Sequence, residues 1–187
     1  MFRRAFSPLN IRVLLPAPPF SQDSQKWFDL EDTDWLKVVT GSVETDRELL
    51  ILEQIEAGAD RVAALVEREL LTTKTVYVSG FAQGGCVALY AALTRVRCAG
   101  VVSMGGPPVR LDLLKGKLRF PATPVRLVCG AADEAFPLAD LKAVATGLAE
   151  TVPDARLDVG PGGRHDVGPA EVQALLAAVE SCAGAAQ

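Results

Sequence analysis

Three short stretches of the sequence carry residues that could do acid–base or nucleophilic chemistry. The first is a glycine-rich turn at residues 80–84, Gly-Phe-Ala-Gln-Gly, with Ala82 at its centre. The second contains Asp133, and the third contains His165, which is the only histidine in the chain. An imidazole held by a carboxylate can accept and return a proton near neutral pH. Asp133 and His165 are therefore the candidate acid–base pair, and we predict that they are hydrogen-bonded.

Each of these stretches follows a short apolar run that predicts a β-strand. The predicted strands are 11–15, 75–78, 100–103, 125–129 and 155–159. One apolar stripe predicts a helix of about 20 residues between the first two strands; the stripe is Leu52, Ile55, Ala59, Val62 and Val66. Further helices are predicted at 84–93, 138–148 and 169–179. This alternation predicts an α/β fold with a mainly parallel sheet and helices on both faces.

The topology predicts where the candidate residues meet. The carboxyl ends of parallel strands lie at the same edge of a sheet, so the three stretches should converge there. Two long segments, 16–34 and 105–124, break the alternation and are predicted to be loops that line the site. Within the second, the basic run 115–119 is interpreted as ordinary surface.

Composition excludes several classes of function. The 187 residues, with 49% hydrophobic residues and 6% aromatic residues, fit a single domain over 1–187. A net charge of −4 argues against a nucleic-acid partner, and no apolar run is long enough for a transmembrane segment. One histidine and four widely spaced cysteines predict no metal site and no cofactor. The cysteines are typical of free thiols in a reducing compartment, which predicts a cytoplasmic protein.

The glycine-rich turn has the context of a nucleophile elbow, in which a strand turns sharply into a helix and presents one side chain above the sheet. An ordinary tight turn is the alternative for this motif taken alone. A nucleotide-binding α/β protein is the weakest alternative, since the sequence has neither G-x-G-x-x-G nor a phosphate-binding lysine at this turn. The acid and the base follow later strands, in the chain order of α/β-hydrolases.

The chain resembles the phospholipase/carboxylesterase family of α/β-hydrolases, which contains acyl-protein thioesterases. Residues 80–85 match the family's G-F-S-Q-G-G, and the resemblance extends over the Asp133 and His165 loops, the Pro-Ala-Pro after residue 15 and Trp-Phe-Asp at 27–29. It implies Asp133 as the acid, His165 as the base and the backbone N–H of Gln83 as an oxyanion donor. The implied substrate is a small-molecule or acylated-protein ester or thioester. We expect the acyl-binding surface to include aromatic residues of the rim loops, namely Phe81, Trp27, Phe28 and Phe136.

Two features depart from the family pattern. Ala82 stands where the family has its serine, so acyl transfer by the family's route cannot start. The family also has a strand ending in L-H-G before the strand at 11–15, and residues 1–10 do not show it, so we expect truncated N-terminal strands. Ser79 and Cys86 lie too far from the tip of the turn to replace the serine and are interpreted as structural filling.

Two hypotheses of function remain open at this point. The first is an ester or thioester hydrolase scaffold whose serine was replaced by alanine and which is inactive as written. The second is a non-catalytic relative that binds an acyl ligand or a protein partner without turnover. The sequence does not indicate the oligomeric state.

Overall fold

Four parallel strands form the sheet on which the site is built. The computed structural model describes residues 14, 16, 18, 26–28, 45–160 and 164–185. The strands run in the order β1-β2-β3-β4, with all three pairings parallel; they are β1 (Tyr77–Phe81), β2 (Gly100–Met104), β3 (Val125–Gly130) and β4 (Ala155–Gly160). The predicted strand at 11–15 lies outside the described residues except for Leu14, which belongs to no strand.

Helices cover both faces of this sheet, as the sequence predicts. They are α1 (Thr45–Leu70), α2 (Gln83–Tyr90) with a π-helical continuation (Ala91–Arg95), α3 (Leu111–Gly116), α4 (Leu138–Ala149) and α5 (Pro169–Ala185). Helices α1, α2 and α4 share the larger apolar core on one face, and α5 packs on β2, β3 and β4 on the other. The predicted apolar stripe of α1 is buried along its length.

The side chains of each strand point alternately to the two faces of the sheet and so separate the two apolar cores. In β3, Val125, Leu127 and Cys129 face the larger core, whereas Val128 faces α5. Successive side chains of a strand point to opposite faces, so a strand buried on both sides reads as a mainly apolar run, which in β3 contains one charged residue, the buried Arg126. This is why the sequence locates β2 and β3 to within one residue.

The largest error of the sequence analysis lies in the segment 105–124. It was predicted to be a loop throughout, but it contains the six-residue helix α3. The helix follows Arg110, whose backbone is left-handed at φ 49° and whose guanidinium pairs with Glu48 and Asp112, both at 2.7 Å. The ion pairs hold a turn that residues other than glycine rarely adopt, and no local pattern in the sequence signals it.

Strand β1 also differs from its prediction. It begins two residues later than predicted, at Tyr77, and extends through Gly80 and Phe81, which pair with Ser103 and Met104 of β2. The strand therefore runs up to Ala82 itself. The glycine-rich turn begins directly at the carboxyl edge of the sheet, and this placement sets the geometry of the site.

Candidate active site

The turn between β1 and α2 has a strained backbone centred on Ala82. Ala82 adopts φ 48° and ψ −120°, a conformation that L-residues other than glycine avoid. Its N–H donates to the carbonyl of Met104 at 2.9 Å, and its carbonyl accepts from Gly85 at 2.9 Å and Cys86 at 3.1 Å. These bonds tie the strained residue to β2 on one side and to the first turn of α2 on the other.

Close backbone approaches explain the glycines around this turn. A Cβ on Gly80 would lie 2.2 Å from the carbonyl of Gly84, and a Cβ on Gly106 would lie 2.1 Å from the carbonyl oxygen of Ala82. Neither neighbour is a flexible side chain, so a methyl group at either position requires the backbone to move. The glycine pattern is thus a packing requirement of the sharp turn.

Asp133 and His165 come together at the carboxyl edge of the sheet. His165 Nδ1 lies 3.0 Å from Asp133 Oδ2, which is the hydrogen bond that the sequence predicts. The other carboxylate oxygen, Oδ1, accepts from the N–H groups of Ala135 and Phe136, both at 2.9 Å. An ionised carboxylate only accepts hydrogen bonds, so Nδ1 carries the proton and Nε2 of the neutral ring keeps its lone pair. The imidazole is therefore oriented to act as a base through Nε2.

The carboxylate of this pair is kept ionised by its hydrogen bonds. The Asp133 side chain is only 2% exposed, and burial by itself would raise its pKa. The hydrogen bonds from His165 and from the N–H groups of Phe136 and Ala135 stabilise the charged form, and the pKa of Asp133 is lowered from its ordinary value. Asp133 is thus a fixed negative partner for the imidazole across the neutral pH range.

Two contacts connect the acid–base pair to the strained turn. Gly105, at φ 54°, lies under the pair, since a Cβ there would be 3.0 Å from His165 Cε1 and 3.4 Å from Asp133 Oδ2. Its neighbour Gly106 lies against the carbonyl of Ala82. The ring of Phe81, the residue directly before Ala82, is 4.8 Å from the His165 ring, between centroids. The turn and the acid–base pair therefore form one site around Gly105 and Phe81.

The predicted acyl-binding aromatics differ in their exposure. Phe81 and Trp27 are partly exposed, whereas Phe28 is 0% and Phe136 is 2% exposed. The Phe136 ring lies 5.7 Å from the His165 ring and supports it from within the protein. Phe28 and Phe136 therefore pack in the core, and of the four predicted aromatics only Phe81 and Trp27 have surface open to solvent.

A small depression adjoins the acid–base pair on the α5 side. It is open to solvent and is lined in part by Phe81, Met104, Asp133 and Arg164. Within the described residues, no three His, Cys, Asp or Glu side chains are grouped so that they could hold a metal ion. No helix of the described residues is both long enough and apolar enough to cross a membrane.

The sequence of this chain matches one protein family over most of its length. Residues 18–183 match the family model described as Phospholipase/Carboxylesterase. The chain belongs to this family. Curated protein sequences give no significant match.

Solved structures show the same fold. A single-residue variant of SOBER1 from Arabidopsis thaliana is 21% identical, with a TM-score of 0.74 over 97% of this chain and 91% of its own. Acyl-protein thioesterase 2 from Zea mays is 20% identical, with a TM-score of 0.63 over 84% of this chain and 72% of its own. Esterase PE8 is 22% identical, with a TM-score of 0.62 over 83% and 69% of the two chains. The chain is thus an α/β-hydrolase-fold member of the phospholipase/carboxylesterase family.

Neither residue considered as a replacement for the family's serine is placed to attack a substrate at the turn. Cys86 is fully buried in α2, and burial raises the pKa of its thiol to about 12. A protonated, enclosed thiol is a poor nucleophile. Ser79 lies inside β1, three residues before the tip of the turn. It is exposed, so its interpretation as structural filling is wrong.

Sequence reasoning missed the side chain of Gln83. Only its backbone N–H was assigned a role, yet its Oε1 accepts hydrogen bonds from the N–H groups of Trp27 and Phe28. Gly105 was likewise noted only as part of a loop. Contacts across such sequence separations leave no periodic signal, and the glycine-rich start of the segment 105–124 was the only available indication.

Proposed function

We propose that this chain is an ester or thioester hydrolase scaffold of the serine type that is inactive as written, because Ala82 occupies the nucleophile position. The observation that carries the proposal is the combination of two features at one edge of the sheet. Ala82 keeps the strained conformation of a nucleophile turn, and His165 is oriented by Asp133 beside it. The site therefore has a base and the acid that orients it, but position 82 has no hydroxyl for the base to deprotonate.

The role of each residue follows from the steps of acyl transfer. A hydroxyl at position 82 would attack the substrate carbonyl while His165 Nε2 takes its proton and Asp133 stabilises the resulting imidazolium. The N–H of Gln83, at the first position of α2, is available to the carbonyl oxygen as negative charge develops, because the first N–H groups of a helix have no intrahelical partner. The methyl group of Ala82 has neither a proton nor a lone pair, so this sequence of steps has no beginning. Loss of the nucleophile costs about a millionfold in turnover in a serine hydrolase.

The substrate class rests on the family and on the site. The solved neighbours include an acyl-protein thioesterase and an esterase, which supports both a thioester and an oxygen ester as the bond recognised. Phe81, partly exposed beside His165, offers apolar surface to an acyl group. We therefore assign a small-molecule or acylated-protein ester or thioester as the ligand.

Ala82 itself favours a second candidate function, in which the site binds an acyl ligand or a protein partner without turnover. A strained backbone persists only where the surrounding structure holds it in place. The surroundings of Ala82 hold such a backbone although the side chain has no reacting group. Binding without turnover requires the shape of this site and not its nucleophile.

Hydrolysis of p-nitrophenyl butyrate tests the proposal. The parent chain and the matched variant His165→Ala should hydrolyse it at the same low rate, because the base has no attacking group to activate. Ala82→Ser should raise kcat/KM by about 10³ or more, since the nucleophile is worth about a millionfold and a site with Gln83 as its only donor would lack about 10² to 10³ of that.

Either of two results would contradict the proposal. Turnover by the parent chain well above that of His165→Ala would mean that another nucleophile or an activated water is in use. No gain on Ala82→Ser, in a folded protein, would mean that the site is not a hydrolase scaffold. Quenching of tryptophan fluorescence by decanoate in that inactive variant would then favour the binding function.

A further inference from the structure

The side chain of Gln83 joins the strained turn to a distant aromatic segment. Its Oε1 accepts hydrogen bonds from the backbone N–H of Trp27 at 2.9 Å and of Phe28 at 3.2 Å, across 56 and 55 residues of sequence. An amide oxygen has two lone pairs, so the two bonds use its full acceptor capacity. The segment 27–28 is therefore fastened to the residue that directly follows Ala82.

Packing fixes the same segment from other directions. A Cβ on Gly84 would lie 3.3 Å from Trp27 Nε1, and a Cβ on Gly58 would lie 3.2 Å from Trp27 Cε3, so the indole ring rests on α2 and α1. Phe28 is fully buried in the larger core. Trp27 is only partly buried, and its Nε1 lies beside Gly84 in the first turn of α2. Apolar packing holds the ring, and Gln83 holds the backbone.

We infer, on the basis of the proposed function, that Gln83 is a positioning residue whose side chain fixes Trp27 as a wall of the acyl-binding site. This role belongs to the amide oxygen and is separate from the donor role proposed for the backbone N–H. The wall contacts only those acyl groups that are long enough to reach the indole ring. The donor acts on the carbonyl, which every ester substrate has.

The two roles predict different kinetic changes in the Ala82→Ser background. Gln83→Met keeps the length of the side chain but removes the acceptor, and should raise KM for p-nitrophenyl octanoate about tenfold, the worth of one or two methylenes of contact. The ratio of KM for the octanoate to KM for the acetate should rise by about the same factor, whereas any loss of oxyanion stabilisation lowers kcat for both esters alike and leaves this ratio unchanged. Gln83→Glu keeps an acceptor oxygen and should preserve KM for the octanoate. It should lower kcat for both esters, because its charge lies near the developing oxyanion.

A spectroscopic measurement tests the contact without turnover. In a Trp35→Phe chain, Trp27 is the only tryptophan. Gln83→Met should shift its emission to longer wavelength and increase quenching by acrylamide, whereas Gln83→Glu should match the unsubstituted side chain. If the Gln83 side chain only stabilised the fold, Gln83→Met would change the melting temperature but would not change KM for the two esters by different factors.

The outcomes separate this inference from the proposed function. Equal changes in KM for the two esters, or unchanged emission in Gln83→Met, would overturn the positioning role. If Ala82→Ser hydrolyses neither ester while the emission shifts as expected, the proposed function fails and the acyl-wall role falls with it. The hydrogen-bonded tether alone would then be established.

Discussion

The site has two halves, the turn around Ala82 and the acid–base pair of Asp133 and His165. Each half keeps a different part of a hydrolase site. Around Ala82 the backbone is preserved: the strained φ and ψ angles, the glycine contacts and the bonds to Met104 and α2 are in place, but the side chain is inert. In the other half the side chains are preserved, with Asp133 buried, ionised and bonded to His165. The hydrogen bonds and close contacts of residue 82 are made by its backbone atoms, so the geometry of the turn does not depend on which side chain occupies position 82.

The largest effect should come from disturbing the acid–base half in an Ala82→Ser chain. Asp133→Asn should remove most of the gain of about 10³ that Ala82→Ser brings, because an amide no longer selects the imidazole tautomer that accepts the proton of the hydroxyl. Steady-state hydrolysis of p-nitrophenyl butyrate measures this loss. The parent chain is the matched control, since without a hydroxyl the same substitution should leave its rate unchanged. A small loss in the Ala82→Ser chain would mean that Asp133 does not orient the base.

The turn half should respond most strongly to added volume. Gly106→Ala should destabilise the fold by about 3 kcal/mol, at the upper end for overpacking, because its Cβ would lie 2.1 Å from the carbonyl oxygen of Ala82. Urea unfolding gives the difference. Gly116→Ala is the control, since a Cβ there meets nothing within 4 Å, and it should be neutral or stabilising. Similar effects at the two glycines would contradict the packing account of the turn.

Strain at position 82 predicts a gain in stability from a smaller residue. Ala82→Gly should stabilise the fold by about 1 kcal/mol, because glycine adopts positive φ without a steric penalty. Ala143→Gly, at an exposed position inside α4, should destabilise it by about 0.5 to 1 kcal/mol. Opposite signs in thermal unfolding would support the account, and a loss at both positions would show that Ala82 is unstrained.

The acid–base half should also show a pH dependence that the turn does not. Folding lowers the pKa of Asp133 below its ordinary value of 3.8, so ionised Asp133 stabilises the fold at pH values above about 4. That contribution is lost as the pH falls below this value towards the pKa of the folded state. Between pH 6 and pH 3, the parent chain should therefore lose more unfolding free energy than Asp133→Asn does. Parallel losses in the two chains would contradict the direction of this pKa shift.

The sequence predicted the elements whose signals are local. Mainly apolar runs located β2 and β3, alternating apolar residues located β4, and one stripe at helical spacing located α1, because burial repeats with the period of each element. The convergence of Asp133 and His165 followed from parallel topology together with the position of each residue at a strand end. These features need no knowledge of distant partners.

The features that the sequence missed depend on distant partners. Helix α3 follows a left-handed Arg110 whose guanidinium bonds to Glu48, 62 residues away, as well as to the nearby Asp112. The amide of Gln83 bonds to the segment 27–28, and Phe28 is buried by the fold as a whole. Local propensity cannot report on contacts formed by loop closure over such separations, so these contacts were less predictable than the acid–base pair.

Labelling of Ala82→Ser with a fluorophosphonate probe tests the central claim most directly. If the turn and the acid–base pair form a hydrolase site that lacks only its hydroxyl, the restored serine should be phosphonylated, as detected by intact-protein mass spectrometry. Labelling should be absent in the parent chain and abolished in Ala82→Ser combined with His165→Ala. A folded Ala82→Ser chain that remains unlabelled, or one that is labelled equally well without His165, would contradict the account.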